Sequence, residues 1–127
     1  MLRLNLLSIF VNEPQEALVF YTTKLGFVKK TFNESLNYVT VGPKDSGVEL
    51  LLEPNENIIA KNYQTGLYSQ GIPAASFGTN NLEEEYQRLK NLGIKFVMPP
   101  TEAFGTQLAV FDDEQGNLIQ IVETKNE

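Results

Sequence analysis

The residue best placed for chemistry in this sequence is Glu49, which interrupts an otherwise apolar run from Val48 to Leu52. Burial among aliphatic side chains disfavours a carboxylate, so the run predicts a raised pKa for the Glu49 carboxyl. A carboxyl of that kind could act as a general base or bind a cationic group of a ligand. The alternatives are that Glu49 faces solvent, or that a Tyr, Gln or Arg side chain pairs with it structurally.

Other polar residues on predicted strands are candidates for ligand contacts. Gln120 lies in the last apolar run and mirrors Glu49, so its amide could bond both Glu49 and a ligand, or only satisfy the sheet around it. Tyr38 and Gln107 fall on predicted middle strands, which could form the walls of a pocket. Tyr38 could equally be a core residue. Ser8 offers a small hydroxyl on the first strand. A role as nucleophile is not expected, because the sequence shows no motif that pairs Ser8 with a basic residue.

The composition excludes several classes of chemistry. The sequence has no His and no Cys, which removes imidazole and thiolate catalysis, disulfides and sulfur-ligated metals. A net charge of −6 with scattered basic residues argues against nucleic acid and anionic membrane surfaces as partners. No run reaches the roughly 20 apolar residues that span a bilayer, and no signal-peptide core is recognisable. We therefore expect a cytoplasmic protein.

The elements that would position these residues occur twice. Residues 12–26 and 81–93 both read as capped amphipathic helices that end in a Leu-Gly pair. Asn12 is the expected N-cap of the first helix, and Asn80 or Asn81 that of the second. One strand precedes each helix and three follow it, at residues 2–11, 27–32, 36–41 and 48–52, and at 72–77, 94–98, 107–111 and 118–123.

This repeat predicts an α+β fold in a single domain of 127 residues. Two β-α-β-β-β modules span about residues 1–54 and 71–124, and a polar connector at about 55–70 joins them, with room for a short helical turn. Pro99-Pro100 is expected to end one strand of the second module, because proline cannot donate to a sheet. Two copies of such a unit are expected to place curved sheets face to face around a cleft that holds a ligand.

Two sequence motifs carry a resemblance to a known family. The order and spacing of the repeat, together with these motifs, resemble the vicinal oxygen chelate superfamily, which includes glyoxalase I, bleomycin-resistance proteins, fosfomycin-resistance enzymes and extradiol dioxygenases. The resemblance covers nearly the whole chain and implies the paired-module fold. The motifs are Phe20-Tyr21-x-x-x-Leu25-Gly26-Phe27 and Phe111-x-Asp113-x-x-Gly116-Asn117-x-Ile119-x-Ile121.

The resemblance also identifies the positions at which metal-dependent relatives hold a divalent ion, in the first and last strands of each module. The matching residues here are Leu6 and Glu49 in the first module, and Ile72 and Gln120 in the second. Two hydrocarbon side chains and one neutral amide leave a divalent ion under-coordinated and its charge uncompensated. We therefore expect no metal and no other cofactor, and no metal-dependent glyoxalase, dioxygenase or fosfomycin-transferase activity.

Two main functions remain open. The first is a metal-independent protein that binds a small neutral or cationic organic molecule in the cleft, as the bleomycin-resistance branch implies. Phe104, in a loop after the Pro-Pro pair, would then be an aromatic lid or only a loop residue. The second is a lyase- or isomerase-type enzyme with Glu49 as general base, with or without an assisting metal. A third, weaker hypothesis is a degenerate module whose dimer surface is the working part; the resemblance implies a homodimer in any case.

Overall fold

The computed structural model describes residues 1–124, which form eight strands and three α-helices. In chain order these are β1 (Leu6–Val11), α1 (Pro14–Val19), β2 (Val28–Asn33), β3 (Tyr38–Gly42), β4 (Glu49–Pro54), α2 (Ile58–Ser69), β5 (Ala75–Thr79), α3 (Leu82–Asn91), β6 (Phe96–Ala103), β7 (Thr106–Asp112) and β8 (Leu118–Glu123). A π-helical turn (Phe20–Lys24) prolongs α1, and a 3-10 turn (Glu34–Leu36) precedes β3. Within residues 1–124, every helix is too short or too polar to cross a lipid bilayer.

The strands form two four-stranded sheets, ordered β1-β4-β3-β2 and β5-β8-β7-β6. In each sheet the first and last strands of the module pair in parallel, and the other neighbours pair antiparallel. The chain divides accordingly into two compact units, with the division between residues 63 and 64. The predicted α+β class and the two β-α-β-β-β modules are confirmed.

One side of the first sheet is covered by α1, which contacts β3 and β4. Tyr21 is completely buried there and stacks on Phe27 with ring centroids 6.5 Å apart. Full burial of a large apolar side chain contributes about 1.5–3 kcal/mol to stability, so this side forms the core of the module. Its other fully buried members are Val11, Ala17, Val39, Val41 and Leu52.

The second sheet is covered on one side by α3, which contacts β6, β7 and β8. Phe96 makes edge-to-face contacts with Tyr86 and Phe111 at centroid distances of 4.7 and 5.7 Å. Each such aromatic pair adds about 0.5–1.5 kcal/mol to the stabilisation that comes from burying the rings. These contacts therefore strengthen the packing of α3 on the sheet. Other buried residues of this core are Leu82, Leu89, Ala109 and Ile119.

Both amphipathic helices end as predicted from their Leu-Gly pairs. Gly26 and Gly93 each have a φ of +87°, the left-handed conformation that favours glycine after a helix. At the other end of α3, the Asn81 side chain accepts a hydrogen bond from the Glu84 backbone N–H at 3.1 Å. The predicted N-cap of the second helix is therefore confirmed as Asn81.

The predicted N-cap of the first helix is wrong. Glu13 occupies that position, and its Oε1 accepts a hydrogen bond from the Gln15 backbone N–H at 3.3 Å. The Asn12 side chain is used elsewhere, because its Oδ1 accepts a hydrogen bond from the Asn55 amide at 2.8 Å. That long-range bond ties the start of the helix to the end of β4, which a local capping rule does not take into account.

The prediction that Pro99-Pro100 ends a strand is also wrong, because β6 continues to Ala103. β6 lies at the edge of its sheet and, within residues 1–124, pairs only with β7. Its register shifts between Met98 and Thr101, so the two prolines lie in a bulge. Proline is tolerated at edges and bulges, where the missing N–H interrupts no ladder bond.

The connector contains a full helix rather than a short turn, and it displaces the start of the next strand. Asn57 begins α2: its Oδ1 accepts a hydrogen bond from the Ile59 N–H at 2.8 Å. After α2, the Ile72 N–H donates to the Leu67 carbonyl at 2.9 Å, so Ile72 belongs to the helix end. The strand predicted to start at Ile72 starts instead at Ala75.

Candidate functional site

The side of the first sheet opposite α1 carries four of the predicted ligand residues. β1 and β4 pair with Leu6 opposite Glu49 and Ser8 opposite Leu51, and paired residues point to the same side of a sheet. Thr40 of β3 is opposite Leu51, which extends this side to the middle of the sheet. We call this side the Glu49 face; it consists of Leu6, Ser8, Phe10, Tyr38, Thr40, Glu49, Leu51 and Glu53.

At the centre of this face, two threonines hold the Glu49 carboxylate. The Thr40 hydroxyl donates to Glu49 Oε1 at 2.6 Å, and the Thr31 hydroxyl donates to the same oxygen at 3.0 Å. The Thr31 backbone N–H in turn donates to Thr40 Oγ1 at 2.9 Å, which orients the Thr40 hydroxyl towards the carboxylate. The other oxygen, Oε2, receives no hydrogen bond from any group in residues 1–124.

A bulge in β2 explains how Thr31 reaches this cluster. Lys29 pairs with Val41 and Phe32 with Val39, so β2 has one more residue than β3 between these pairs. A bulge leaves one backbone N–H out of the ladder and re-aims the side chain beside it. Here the released N–H of Thr31 finds the Thr40 hydroxyl, and the Thr31 side chain turns to Glu49.

This environment lowers the pKa of the Glu49 carboxyl below its ordinary value. The hydrogen bond from Thr40 is the main cause, followed by that from Thr31, and the positive charge of Lys30 acts in the same direction. Burial raises the pKa of Glu49, by more than Lys30 lowers it but by less than either hydrogen bond lowers it. The predicted rise in pKa is therefore wrong, because the apolar neighbours in sequence include residues on the opposite side of β4. Glu49 is an ionised hydrogen-bond acceptor at neutral pH and a weak base.

The surroundings of Glu49 on this face are apolar and open. Leu6 has 42% of its surface exposed, Ser8 is exposed, and Leu51 and Tyr38 are half-buried. The Glu49 backbone N–H donates to the Asn5 carbonyl at 3.0 Å, which fixes the strand pair at this point. The structure thus brings Glu49, Leu6, Ser8 and Tyr38 to one side of one sheet.

In the second module, Gln120 lies on the side of the sheet opposite α3. Its Nε2 donates to the Ser76 hydroxyl at 2.8 Å, and the two residues are opposite each other in the β5–β8 pair. The final residue pairs of the two parallel ladders are Val11 with Pro54 and Thr79 with Glu123. Counted back from these pairs, Gln120 corresponds to Leu51, two residues away from Glu49. The predicted equivalence of Glu49 and Gln120 is therefore wrong in register, although both keep the side opposite the helix.

The same count changes the residue that corresponds to Leu6. Leu6 lies five residues before Val11, the last residue of β1. The last residue of β5 is Thr79 rather than the predicted Phe77, so the equivalent position is Ala74 and not Ile72. The Ala74 backbone N–H donates to the Leu118 carbonyl at 2.8 Å, which anchors it beside β8. The position still carries a hydrocarbon side chain, as the sequence prediction required.

Gln107 is not brought together with Gln120. Val110 is opposite Gln120 in the β7–β8 pair, so even-numbered residues of β7 share the side of Gln120. Gln107 has the opposite parity and is exposed on the side of β7 that α3 packs against.

Phe104 lies at the tip of the β6–β7 hairpin, with 97% of its surface exposed. It forms a two-residue turn with Gly105 between the paired residues Ala103 and Thr106. The φ angles of Phe104 and Gly105 are +54° and +77°, which matches the turn type that two-residue hairpins prefer. Residues without a short polar side chain are rare at such angles, so Phe104 is held in an unfavourable conformation.

The residues predicted at the metal positions do not fit a divalent ion, and the corrected register does not change this, because Leu51 and Leu118 offer no donor atom either. Leu6 and Ala74 offer no donor atom, and Gln120 offers a neutral amide that already donates to Ser76. Glu49 alone supplies a charged oxygen, whereas structural and catalytic sites use three or four donors. Among residues 1–124 no three or more His, Cys, Asp or Glu side chains gather at one point. The absence of a bound metal remains a prediction.

Sequence reasoning missed the threonine pair that governs Glu49. Thr40 lies between two buried valines on β3, so the alternation alone could have predicted that Thr40 points away from the core, to the side of Glu49. Thr31 could not be found in this way, because the bulge changes its direction. The partner of a polar strand residue depends on cross-strand register, which a single strand does not reveal.

Comparison with known families gives a match over most of the chain. The model of the Glyoxalase/Bleomycin resistance protein/Dioxygenase superfamily matches residues 3–121. The uncharacterized protein YurT of Bacillus subtilis (strain 168) is 49% identical over 120 residues, which cover 91% of this chain and 94% of YurT. The resemblance inferred from the sequence motifs is thus confirmed.

Solved structures agree with the fold. UcmS2 has 29% sequence identity to this chain and a TM-score of 0.81, with 98% of this chain and 99% of UcmS2 covered. TnmS3, an antibiotic binding protein from Streptomyces sp. CB03234, has a TM-score of 0.75 over 98% of both chains. Its sequence identity is 19%, so its likeness concerns the fold alone.

Proposed function

Because the chain belongs to the glyoxalase/bleomycin resistance protein/dioxygenase superfamily, we propose that it binds a small organic molecule on the Glu49 face without a metal ion. The observation that carries this proposal is the Glu49 carboxylate itself. It is kept ionised by Thr40 and Thr31, and its Oε2 has no hydrogen bond from residues 1–124. An oriented acceptor of this kind serves recognition rather than stability alone.

The surroundings of Glu49 support a ligand that is mainly apolar with one positive or N–H-bearing group. Leu6 and Leu51 present hydrocarbon beside the carboxylate, and Tyr38 adds an aromatic ring further along the same face, towards Glu53. Small-molecule sites typically combine apolar walls with a few placed polar groups. The net charge of −6 also attracts cations to the molecule over several ångströms.

One of the solved structures supports a small organic molecule as ligand, without indicating its chemistry. TnmS3, with a similar fold, is an antibiotic binding protein. By analogy, we propose that this chain sequesters or carries a small organic compound, in a cytoplasmic setting and as a homodimer. Fold analogy alone does not define a ligand, so the argument depends on Glu49.

An enzyme with Glu49 as general base is the less favoured alternative. A general base works best with a pKa near the working pH, which requires the pKa of a carboxyl to rise. The hydroxyl donors lower the pKa of Glu49, and the oxygen they bind is blocked from accepting a proton. The arrangement therefore favours binding over proton abstraction.

A titration with a matched pair of probes tests the proposal. The probes are 4-phenylbutylamine and its neutral analogue 4-phenylbutan-1-ol, followed through the backbone amide resonances of the protein. We expect the amine to shift resonances of β1, β3 and β4 and to bind about tenfold more tightly than the alcohol, since a charged hydrogen bond distinguishes them.

Two variants complete this test. Glu49→Gln should remove the preference for the amine, because the side chain keeps its shape and loses its charge. Glu16→Gln is the matched control: Glu16 is exposed on α1, on the other side of the sheet, and should leave binding unchanged. Equal binding of amine and alcohol to the unaltered protein would contradict the role of Glu49.

A further inference from the structure

A separate pocket lies at the other end of the Glu49 face, where β1 and β4 approach the first turns of α2. It has a volume of about 550 Å³ and opens widely to solvent. Phe10 and Glu53, which are opposite each other in the β1–β4 pair, form its floor. The walls include Pro54, Ile59, Ala60 and Tyr63.

The only charged side chain among the described residues that line this pocket is Glu53. Glu53 is half-buried, and no hydrogen bond or ion pair within residues 1–124 involves its carboxylate. Glu53 follows Glu49 by four residues on the same strand, so the two positions are about 13 Å apart along the strand. This distance makes the pocket distinct from the threonine cluster.

The pocket also presents apolar and aromatic surface to solvent. Ile59 has 76% and Tyr63 61% of its surface exposed, although both lie beside half-buried Phe10. Aromatic rings attract cations that lie over their faces, and pockets that join such rings to a carboxylate suit organic ammonium groups. An inorganic cation would lose too much hydration against these hydrocarbon walls.

The start of α2 does not reverse this charge preference. The first backbone N–H groups of a helix carry partial positive charge, which would oppose a cation. Asn57 reduces that effect here, because its Oδ1 accepts the hydrogen bond of the Ile59 N–H at 2.8 Å. The Glu53 carboxylate therefore dominates the local field.

We propose that this pocket binds an organic ammonium ion, with Glu53 as counter-charge and the rings of Phe10 and Tyr63 as its aromatic walls. The ammonium carries alkyl substituents that cover Ile59 and Pro54. The site does not depend on the function proposed for Glu49, since no residue of the threonine cluster lines it.

A charge-matched pair of small probes tests the site: choline, and 3,3-dimethylbutan-1-ol, which has the same shape without the charge. In a titration followed by backbone amide resonances, choline should shift Asn57, Ala60 and Tyr63. The neutral alcohol should bind at least about fivefold more weakly. Equal binding of both probes, or shifts confined to other regions, would overturn the proposal.

Variants then distinguish this pocket from the Glu49 site. Glu53→Gln and Tyr63→Ala should each weaken choline binding about fivefold or more, and both positions are open enough for the fold to tolerate the change. Glu56→Gln is the matched control, because Glu56 is exposed close by and does not line the pocket. Glu49→Gln should leave the choline-induced shifts of Asn57, Ala60 and Tyr63 in place, because Glu49 does not line the pocket. A loss with Glu49→Gln and none with Glu53→Gln would assign the ammonium to the Glu49 site instead.

Discussion

At the scale of single residues, the hydrogen bonds made to a carboxylate decide what it can do. Glu49 occurs in a run of aliphatic residues, yet only Leu51 of its apolar neighbours shares its side of β4 with it. Two threonine hydroxyls converge on one carboxylate oxygen and favour the charged form. The outcome is an anion directed at the open face of the sheet.

Removing the stronger donor should raise the pKa of Glu49. Thr40→Val keeps the size of a fully buried side chain and deletes the hydroxyl that is the main cause of the lowered pKa. The measurement is a pH titration of the Glu49 carboxyl carbon by NMR. Thr101→Val, at an exposed position of β6, serves as control. An unchanged pKa in Thr40→Val would show that the hydroxyl does not stabilise the carboxylate.

The same bonds predict a pH dependence of stability. The pKa of Glu49 is lower in the folded state than its ordinary value of 4.5, so its stabilising effect is complete above pH 4.5 and is lost as the pH falls through the folded pKa. Glu49→Gln should therefore lose less stability than the unaltered protein as the pH falls below 4.5. Urea unfolding at several pH values measures this, and parallel curves for the two proteins would refute it.

At the scale of elements, turns and bulges place the side chains that strands alone would not. The turn after β7 is an example: the Asp113 carboxylate is fully buried and accepts hydrogen bonds from the Gln115 and Asn117 backbone N–H groups at 2.8 and 3.0 Å. It also accepts one from the Asn117 side chain at 2.9 Å. This network sets the register with which Leu118 begins β8.

Asp113→Ala should consequently be strongly destabilising. It leaves three buried donors without their acceptor, and the expected loss is about 3–5 kcal/mol in the free energy of unfolding. Urea unfolding followed by circular dichroism measures it. Asp45→Ala, in an exposed loop, should change the free energy by less than about 0.5 kcal/mol. A loss of under 1 kcal/mol for Asp113→Ala would mean that other groups satisfy the turn.

A substitution in the hairpin at Phe104 is expected to raise the free energy of unfolding, whereas Asp113→Ala lowers it. Phe104→Asn should stabilise the protein by about 1 kcal/mol, since asparagine adopts a φ of +54° more readily than phenylalanine. The readout is again the free energy of unfolding. Binding of the arylalkylamine probe should be compared in parallel: reduced binding would support the aromatic lid, and unchanged binding a loop residue. A destabilised variant would show that the Phe104 ring makes contacts that outweigh its backbone strain.

The sequence predicted some of the helices and strands and missed others. The eight strands and the two helices that end in a Leu-Gly pair could be inferred in their order, because hydrophobic period and the Leu-Gly helix ends are local signals. The helix at Ile58–Ser69 was missed because its apolar residues do not form a clear stripe along one side. The continuation of β6 past Pro99 was missed because the edge position of that strand is a property of the sheet.

At the scale of the whole molecule, the β-α-β-β-β module occurs twice, and the two copies carry different residues at corresponding strand positions. Counted from the strand ends, Glu49 has Leu118 as its counterpart, and Gln120 has Leu51. The first module therefore carries the charged anchor, and the second carries a neutral Gln120–Ser76 pair. The register that shows this depends on hydrogen bonds between distant segments, so the sequence alone placed Glu49 and Gln120 at equivalent positions.

The oligomeric state is a further prediction at this scale. Leu2 and Leu4 expose 98% and 70% of their surface, and Leu7 exposes 51%. Apolar side chains grouped in one segment favour burial against another chain, which agrees with the homodimer implied by the family. Light scattering coupled to gel filtration should give twice the mass of the chain. The mass of a single chain at micromolar concentration would exclude a stable homodimer.

The most direct test of the account is amine binding in the absence of metal. The protein is treated with EDTA, its metal content is checked by mass spectrometry, and 4-phenylbutylamine is titrated with and without added Zn²⁺ or Mn²⁺. We predict the same Kd in all three conditions and a Kd raised about tenfold by Glu49→Gln. Binding that requires the added metal, or that is unaffected by Glu49→Gln, would contradict a metal-independent site anchored by this carboxylate.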